Sequence, residues 1–346
     1  MTDSPATLPD ARVQLSCDEA QRLSMAALQG LGYPEADAAL IAGHVLDAAL
    51  CGYEYSGLPK ILHVGQFMQG RPVQGPMRVL QETPVSALLD GANHTGMVAV
   101  DRATDWVIAK AQAQGFGIVG VNQTWMSGRS AYFVERIARA GLVGLHAIGS
   151  RALAAPPGAA AAAIGTNPIA FGFPTQAEPL VIDMGFSALM FTDLRLRALR
   201  QETLPEGVAI DSEGRPTQDP LAALAGAVLC FGGYKGFGMA LAMQAMAFLA
   251  GAGDDPDGAG YLLIAIRPDL LVPLEQYRRG LSEMLERIKA TPRQPGVDEI
   301  RIPSERAFRT RERLRQQGVE IDATVHKQLL QLAAVPSPTP LPRALP

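Results

Sequence analysis

The chain has 346 residues, 48% of them hydrophobic, with 30 basic against 34 acidic side chains. That length supplies two ordinary domains or one large one with a buried core, and a net charge of −4 leaves no basic footprint for nucleic-acid phosphates. Three cysteines, Cys17, Cys51 and Cys230, stand too far apart for a CxxC metal or redox pattern, and an odd number argues against a disulfide framework.

The opening segment MTDSPATLPDARVQLSC has two Asp, two Pro and no apolar run, so it does not read as a signal peptide, and cytoplasm is the expected compartment. The most apolar stretch, Leu221 to Leu249, is divided by GGYKG at 232–236 into pieces shorter than the ~18–20 residues a membrane span requires. A buried helix following a glycine turn is expected there, and no membrane partner.

Ser16 with Glu19 has capping-box spacing and predicts a helix ending near Gly30-Leu31-Gly32. Pro34 starts a second helix whose apolar residues cover most of its circumference, which predicts burial at a domain or subunit interface. MRVL and VSALL are strand-length runs before an Asp90-Gly91 turn, residues 97–113 are apolar at helical spacing, and IVGVN at 118–122 reads as a buried strand. A helix at 129–140 and the strand LVGLHAI at 142–148 continue an alternation that argues α/β architecture.

Residues 151–164 form an Ala/Pro/Gly loop packed close to something; strands follow at IAFGF and PLVIDM, then a helix at 187–200 and an acidic loop through 203–219. YLLIAI at 261–266 is the last clear strand, and helices are predicted at 274–290 and 304–317. The final PSPTPLPRALP, with five prolines, predicts a disordered tail.

Gly115 to Gly120 spells GxGxxG, but here a helix precedes and a strand follows, the reverse of what places a helix N-terminus at a pyrophosphate. Gly115 is instead expected to stop a helix. GGYKGFG at 232–238 lets backbone approach a ligand beside a lysine, yet lacks the Ser/Thr of a P-loop. GTNPIAF at 165–171 sets Thr166 and Asn167 before a turn-fixing proline, and LVIDMGFS at 180–187 ends a strand in Asp183, with an N-cap for the next helix as its competing role. No two histidines have metal-ligand spacing, so no metal is expected. His44 and His146 read as core, and His94 in DGANHTG is the one whose setting resembles a site.

GTNPIAFGFP, LVIDMGFS, LPEGVAIDSEGRPTQDP and GGYKGFGMAL, in this order, resemble the malate/L-lactate dehydrogenase family, which also contains reductases of Δ1-piperideine-2-carboxylate and Δ1-pyrroline-2-carboxylate. The resemblance runs from the N-terminal helices to RIPSERAFRTRERL. It implies an α/β, non-Rossmann NAD(P)-binding fold with a largely antiparallel sheet and a homodimer built through helical terminal regions. The expected organisation is a helical region over 1–75 joining C-terminal helices over 271–335, a cofactor- and substrate-binding region over 76–270, and a tail over 336–346.

Carried over residue by residue, the family's Ser-His-Gly followed by an Arg becomes Tyr55-Ser56-Gly57-Leu58-Pro59-Lys60. Ser56 stands where the family has its proton-donating histidine, Tyr55 where it has serine, and Lys60 where an arginine binds substrate. Asn-His-Phe-Gly at the cofactor reads Trp125-Met126-Ser127-Gly128, which leaves Ser127 and Gly128 as cofactor candidates and raises the idea that Trp125 fills the nicotinamide site. Thr166 matches a substrate contact, Asp183, Met184 and Gly185 a cofactor contact, Asp193 a charge-relay aspartate, and Tyr234-Lys235 a further cofactor contact. Pro303-Ser304 replaces the Pro-Gly of the C-terminal cofactor segment.

A serine hydroxyl is too weakly acidic to protonate an alkoxide unaided, whereas a cyclic imine takes its proton from solvent before hydride arrives. The expected function is therefore NAD(P)H-dependent reduction of a small cyclic ketimine carboxylate. The alternatives are a 2-oxo/2-hydroxy acid dehydrogenase, with Tyr55 or Tyr53 as the acid, and a catalytically impaired cofactor-binding paralogue. Asp193 has a competing role as a surface partner of Arg197, four residues on.

Overall fold

The capping box at Ser16 forms. Its hydroxyl accepts from the Glu19 N–H at 3.2 Å while the Glu19 carboxylate accepts from the Ser16 N–H at 2.8 Å, opening helix α1 (Cys17–Gly30). The computed structural model in which this is seen describes residues 12–252, 259–336 and 340–344, without the side chains of 199 and 200. The chain divides into two units, one from the described parts of 1–73 and 306–343, the other from those of 74–305 and 344–346. Elements are numbered along the whole chain.

In the first unit α1 packs with α2 (Glu35–Leu50) and α11 (Ala323–Ala333). Ala38, Ile41, Ala42, Val45 and Ala48 of α2 are wholly buried, as its all-round apolarity predicts. Arg311 of α10 (Glu305–Gln317) donates to the Asp47 carboxylate of α2 at 2.9 Å, with both side chains largely buried, a charge pair that ties the two helices together. Sequence periodicity misses α3 (Lys60–Gly70), α11 and the antiparallel pair of β1 (Arg12–Leu15) and β12 (Val319–Asp322). Four-residue strands are too short to show a period, and their partners lie three hundred residues apart.

The second unit is built on a seven-stranded sheet in the order β2 (Arg78–Glu82), β3 (Ser86–Asp90), β4 (Phe116–Asn122), β11 (Gly260–Ile266), β5 (Val143–Gly149), β7 (Ile169–Phe173), β8 (Leu180–Met184). Only β3 and β4 pair in parallel; the other neighbours are antiparallel, as the resemblance implies. Helices α4 (Gly96–Gln114), α5 (Ser130–Arg139) and α8 (Tyr234–Phe248) pack on it. Phe133, Leu262 and Leu194, the last from α6 (Phe191–Arg200), are fully buried, each worth roughly 1.5–3 kcal/mol. A small sheet of β6 (Ala154–Ala155), β10 (Ala227–Leu229) and β9 (Ala209–Ile210) holds the alanine-rich loop, whose Leu153 and Ala154 N–H groups donate to Ile164 O.

The GxGxxG glycines serve packing. Gly115 ends α4 in the left-handed region at φ 85°, and a Cβ on Gly117 would lie 2.7 Å from Val107 O of α4, so the bare backbone lets β4 lie tight on its helix. Helix α6 starts at Phe191, later than the expected 187, because the Ala188 N–H donates to Leu229 O at 2.7 Å and Ser187 bridges Cys230, keeping this stretch extended. The short α7 (Pro220–Ala225) follows the acidic loop and has no counterpart among the expected elements.

Two boundaries differ from expectation. Helix α9 (Leu274–Lys289) belongs to the second unit, so the C-terminal helices divide near residue 306. Parts of the proline-rich tail, 337–339 and 345–346, lie outside the described residues, but the rest is fixed. The Leu341 N–H donates to Gly32 O at 2.9 Å, and the fully buried Ala344 accepts from the Met77 N–H at 2.7 Å. Prolines remove donors without preventing the residues between them from pairing. No described helix is long and apolar enough to cross a membrane.

His146 on β5 is wholly buried against Phe133 and Tyr261, and neither ring nitrogen has a hydrogen-bond partner. Desolvation pushes its pKa down to about 3. The unfolded chain takes up this proton near pH 6.5 and the folded chain only near 3, so the native state loses stability as pH falls through that window. Urea denaturation should show that His146→Leu reduces the stability difference between pH 7 and pH 5 by about 2 kcal/mol. An unchanged difference would mean that the folded protein accommodates an imidazolium there.

Candidate functional site

Pro168 fixes the end of the GTNP turn, and Asn167 before it takes a left-handed backbone with φ 38°, a conformation asparagine tolerates better than most residues. Its side chain is fully buried and satisfied at both ends. Oδ1 accepts from the Ser150 N–H at 3.0 Å, and Nδ2 donates to Ala240 O at 2.8 Å and Gln244 Oε1 at 2.9 Å on α8. Thr166 is half-buried beside it, and its carbonyl accepts from the Phe186 N–H at 3.0 Å.

Strand β8 delivers Asp183 and Met184 to solvent at its end, followed by half-exposed Gly185. The Asp183 carboxylate accepts from the Ala131 N–H at 2.8 Å, in the first turn of α5, where the free amide and the helix dipole favour an anion. Asp183 therefore caps α5, not the helix that follows it in sequence. Solvent reaches the residue, but the surrounding protein still desolvates the carboxylate and raises its pKa, opposed by the Ala131 N–H and the positive charge of Arg129. This bond draws Ser127 and Gly128, which lead into α5, toward the end of β8. Ser127 is buried and Gly128 is left-handed at φ 78°.

The Phe186 carbonyl accepts from the Phe231 N–H at 2.8 Å, which carries the chain into Gly232 and Gly233 at φ 62° and 60°. Helix α8 then starts at Tyr234, inside the motif expected to be a turn before it. Tyr234 and Lys235 are exposed, and no side chain caps the helix. A Cβ built on Gly232 or Gly233 meets nothing within 4 Å, and one on Gly185 meets nothing closer than 3.6 Å. Thr166, Ser127 to Gly128, Asp183 to Gly185 and Tyr234 to Lys235 are thus joined in one hydrogen-bonded array. Its open backbone, uncapped helix N-terminus and exposed lysine suit an anionic group such as a dinucleotide diphosphate.

Pro303 and Ser304 form the turn into α10, and Ser304 has φ 67°. Serine therefore holds a left-handed backbone that a glycine would adopt without strain. Trp125 is buried, and its indole N–H donates to Asn93 O at 3.0 Å, so its ring is held in the protein interior by the preceding loop. His94 is likewise structural: it is fully buried, with Nε2 2.9 Å from Gly75 O and its carbonyl accepting from the Thr124 hydroxyl.

The remaining candidates lie in the first unit, except Asp193. Ser56 ends a single 3-10 turn, Glu54–Ser56, with its N–H donating to Tyr53 O at 3.0 Å. Tyr55 meets Tyr53 edge-on, ring centres 6.3 Å apart. Lys60 is the first residue of α3 and is only 8% exposed, which excludes a solvated loop-end lysine. Asp193, in the first turn of α6, accepts from Arg197 Nε at 3.0 Å across one helical turn, with both side chains about one-third exposed, and this is the surface pairing its spacing allows. Among the described residues no group of three His, Cys, Asp or Glu could hold a metal ion.

Two participants escape sequence reading. Arg129 is hidden beside a replaced motif. Gln244 had a signal, as a lone polar residue within GFGMALAMQAMAFLA.

The family model for malate/L-lactate dehydrogenase matches residues 15–330, and the chain belongs to this family of oxidoreductases. Its members work with NAD(P). The chain is 31% identical over 332 residues to the L-sulfolactate dehydrogenase of Methanocaldococcus jannaschii, covering 92% of this chain and 96% of the relative. It is 30% identical over 336 residues to the Δ1-pyrroline-2-carboxylate/Δ1-piperideine-2-carboxylate reductase of Pseudomonas putida, with the same coverage of 92% and 96%. The solved malate dehydrogenase of Pyrococcus horikoshii superposes with a TM-score of 0.84 at 26% identity, over 96% of this chain and 99% of that one.

Ser304→Gly should stabilise the protein by roughly 0.5–1 kcal/mol, the strain of a left-handed serine less the entropy of a freer unfolded glycine. Chemical denaturation checks this, and a destabilised variant would show that the serine side chain repays its backbone strain.

Proposed function

We propose that the protein is an NAD(P)H-dependent reductase of a small cyclic ketimine carboxylate, of the Δ1-pyrroline-2-carboxylate or Δ1-piperideine-2-carboxylate type, giving the cyclic amino acid. One observation carries the reading. The Thr166, Asp183 to Gly185 and Tyr234-Lys235 positions keep the pattern that the family resemblance implies, while Ser56 stands where that pattern has its proton-donating histidine. A positioned general acid is worth about 10²–10⁴-fold, and hydride addition to a ketone without one leaves an alkoxide that has no positioned proton donor. An imine protonated by solvent already carries its proton, so the protein has only to bind an iminium carboxylate. Relatives of both kinds stand near 30% identity, which favours neither substrate by itself.

The nicotinamide supplies the hydride. Asp183, Gly185 and the start of α8 at Tyr234 and Lys235 hold the dinucleotide, with Ser127, Gly128, Met184, Pro303 and Ser304 as further contacts. Thr166 positions the substrate, and Lys60 meets its carboxylate as a point charge, geometrically looser than the family's bidentate arginine. Asp193 favours the cationic iminium by charge. A second reading, reduction of a 2-oxo acid, is favoured by the phenol of Tyr55, beside the position of the lost histidine.

Following NADPH and NADH absorbance, turnover of either cyclic imine should exceed that of pyruvate or oxaloacetate. Ser56→His should raise the 2-oxo acid rate by about tenfold and leave imine reduction nearly unchanged. Faster wild-type turnover of a 2-oxo acid would overturn the ketimine reading, and cofactor binding without turnover of any of these would leave the impaired paralogue.

The protein acts as a homodimer in this reading. Along α8, Leu241, Ala245 and Phe248 recur at helical spacing and are exposed, with Leu249 beside them, a larger apolar face than scattered surface residues make. Light scattering coupled to gel filtration should give twice the chain mass, and Leu241→Glu with Phe248→Glu should give the monomer. A monomeric wild type would remove the assembly from the proposal.

A further inference from the structure

Asn167 sits where three segments meet: the end of β5 at Gly149 and Ser150, the turn Gly165 to Asn167, and the middle of α8. The room around its amide is closed. A Cβ on Gly165 would lie 2.2 Å from Asn167 Oδ1 and 2.4 Å from Ser150 Oγ, and one on Gly149 would lie 2.4 Å from Ala247 Cβ and 3.0 Å from Gln244 Nε2. Gly165 is thus required by the amide and Ser150, and Gly149 by the close approach of α8 at Ala247 beside Gln244. Both amide hydrogens are used, one on a backbone carbonyl in mid-helix and one on Gln244, and the carbonyl oxygen takes the Ser150 N–H at 3.0 Å and the Ser150 hydroxyl at 3.4 Å. A residue so placed has no donor or acceptor left for a ligand.

The turn reaches α8 by two separate routes. One runs through the Asn167 side chain to Ala240 and Gln244. The other runs through the Thr166 carbonyl, Phe186 and Phe231 to the residues that start the helix. Ala240 lies six residues beyond Tyr234, roughly 9 Å along a rigid helix. The two routes close a ring, and a ring of hydrogen bonds fixes the spacing of its members where a single chain of them would allow it to drift.

We propose that Asn167, held by Gln244, is a positioning residue that locks Thr166 to the Tyr234-Lys235 start of α8, so that the substrate contact and the cofactor contact keep one separation. The proposal deepens the reductase reading and rests on it for the roles of Thr166 and Lys235; the ring itself is independent of the reaction. Asn167 acts through these residues and touches neither ligand.

The test uses the full-length protein and changes Gln244, a half-buried residue whose loss spares the Asn167 bonds to Ser150 and Ala240. Gln244→Met keeps side-chain length and removes the acceptor, whereas Gln244→Glu restores an acceptor for Asn167 Nδ2. Hydrogen exchange on the free protein should show the Phe186 and Phe231 amides opening about tenfold faster in Gln244→Met and near wild type in Gln244→Glu. In steady-state kinetics with a cyclic imine, Gln244→Met should raise KM and the NADPH dissociation constant by about fivefold to tenfold with kcat within about twofold, and Gln244→Glu should reverse this. Unchanged exchange at Phe186 and Phe231 would overturn the ring as a mechanical unit. Faster exchange with wild-type KM and cofactor affinity would overturn the positioning role. Absence of imine turnover by the wild-type protein would count against the reductase reading alone, since exchange and NADPH affinity are measured without a reaction.

Discussion

The side-chain amide of Asn167 is the interaction on which the second unit's functional end depends. A fully buried amide costs a few kcal/mol if left unpaired, so its surroundings have to supply two acceptors and a donor at once. They come from β5 and from α8, elements distant in sequence, and supplying them sets where the helix lies against the sheet. Placing α8 in turn places its uncapped N-terminus. Asp183 plays the matching part on the other side, where a carboxylate at the end of β8 takes the Ala131 N–H that opens α5. Two short polar side chains thus tie two helices to the strands and turns of the same sheet.

The family's chemistry is retained unequally. Gly232 and Gly233 have positive φ, and Ser304, where the family resemblance implies a glycine, is left-handed as well. The side chains of the proton relay do not survive, since the positions of its serine and histidine hold Tyr55 and Ser56. Such a pattern favours a substrate that brings its own proton. Trp125 in the replaced motif is anchored by its indole N–H to Asn93 O inside the unit.

The GxGxxG segment shows how one motif serves unlike physics. In a dinucleotide fold its glycines admit a pyrophosphate; here Gly117 admits α4 and Gly115 terminates it. The order of elements, helix before and strand after, separates the two uses, and that order is visible in hydrophobic periodicity alone.

The capping box of α1, the buried circumference of α2, the helices flanking β4 and the strands of the main sheet were legible because each is written in local spacing. So was the family, because its motifs are contiguous. What the tertiary structure decided is what depends on partners far along the chain. It paired Arg12–Leu15 with Val319–Asp322, fixed Leu341 and Ala344 within a tail whose composition predicts disorder, and turned Asp183 from a cap of the next helix into a cap of α5. It paired the Asp193 carboxylate with Arg197 across one turn of α6 and showed Gln244 to be a hydrogen-bond partner of Asn167. Local spacing fixes which face of an element is apolar, since that follows from backbone period alone; which acceptor a buried donor finds is set only when the elements pack, because a hydrogen bond forms over about 3 Å whatever the distance in sequence.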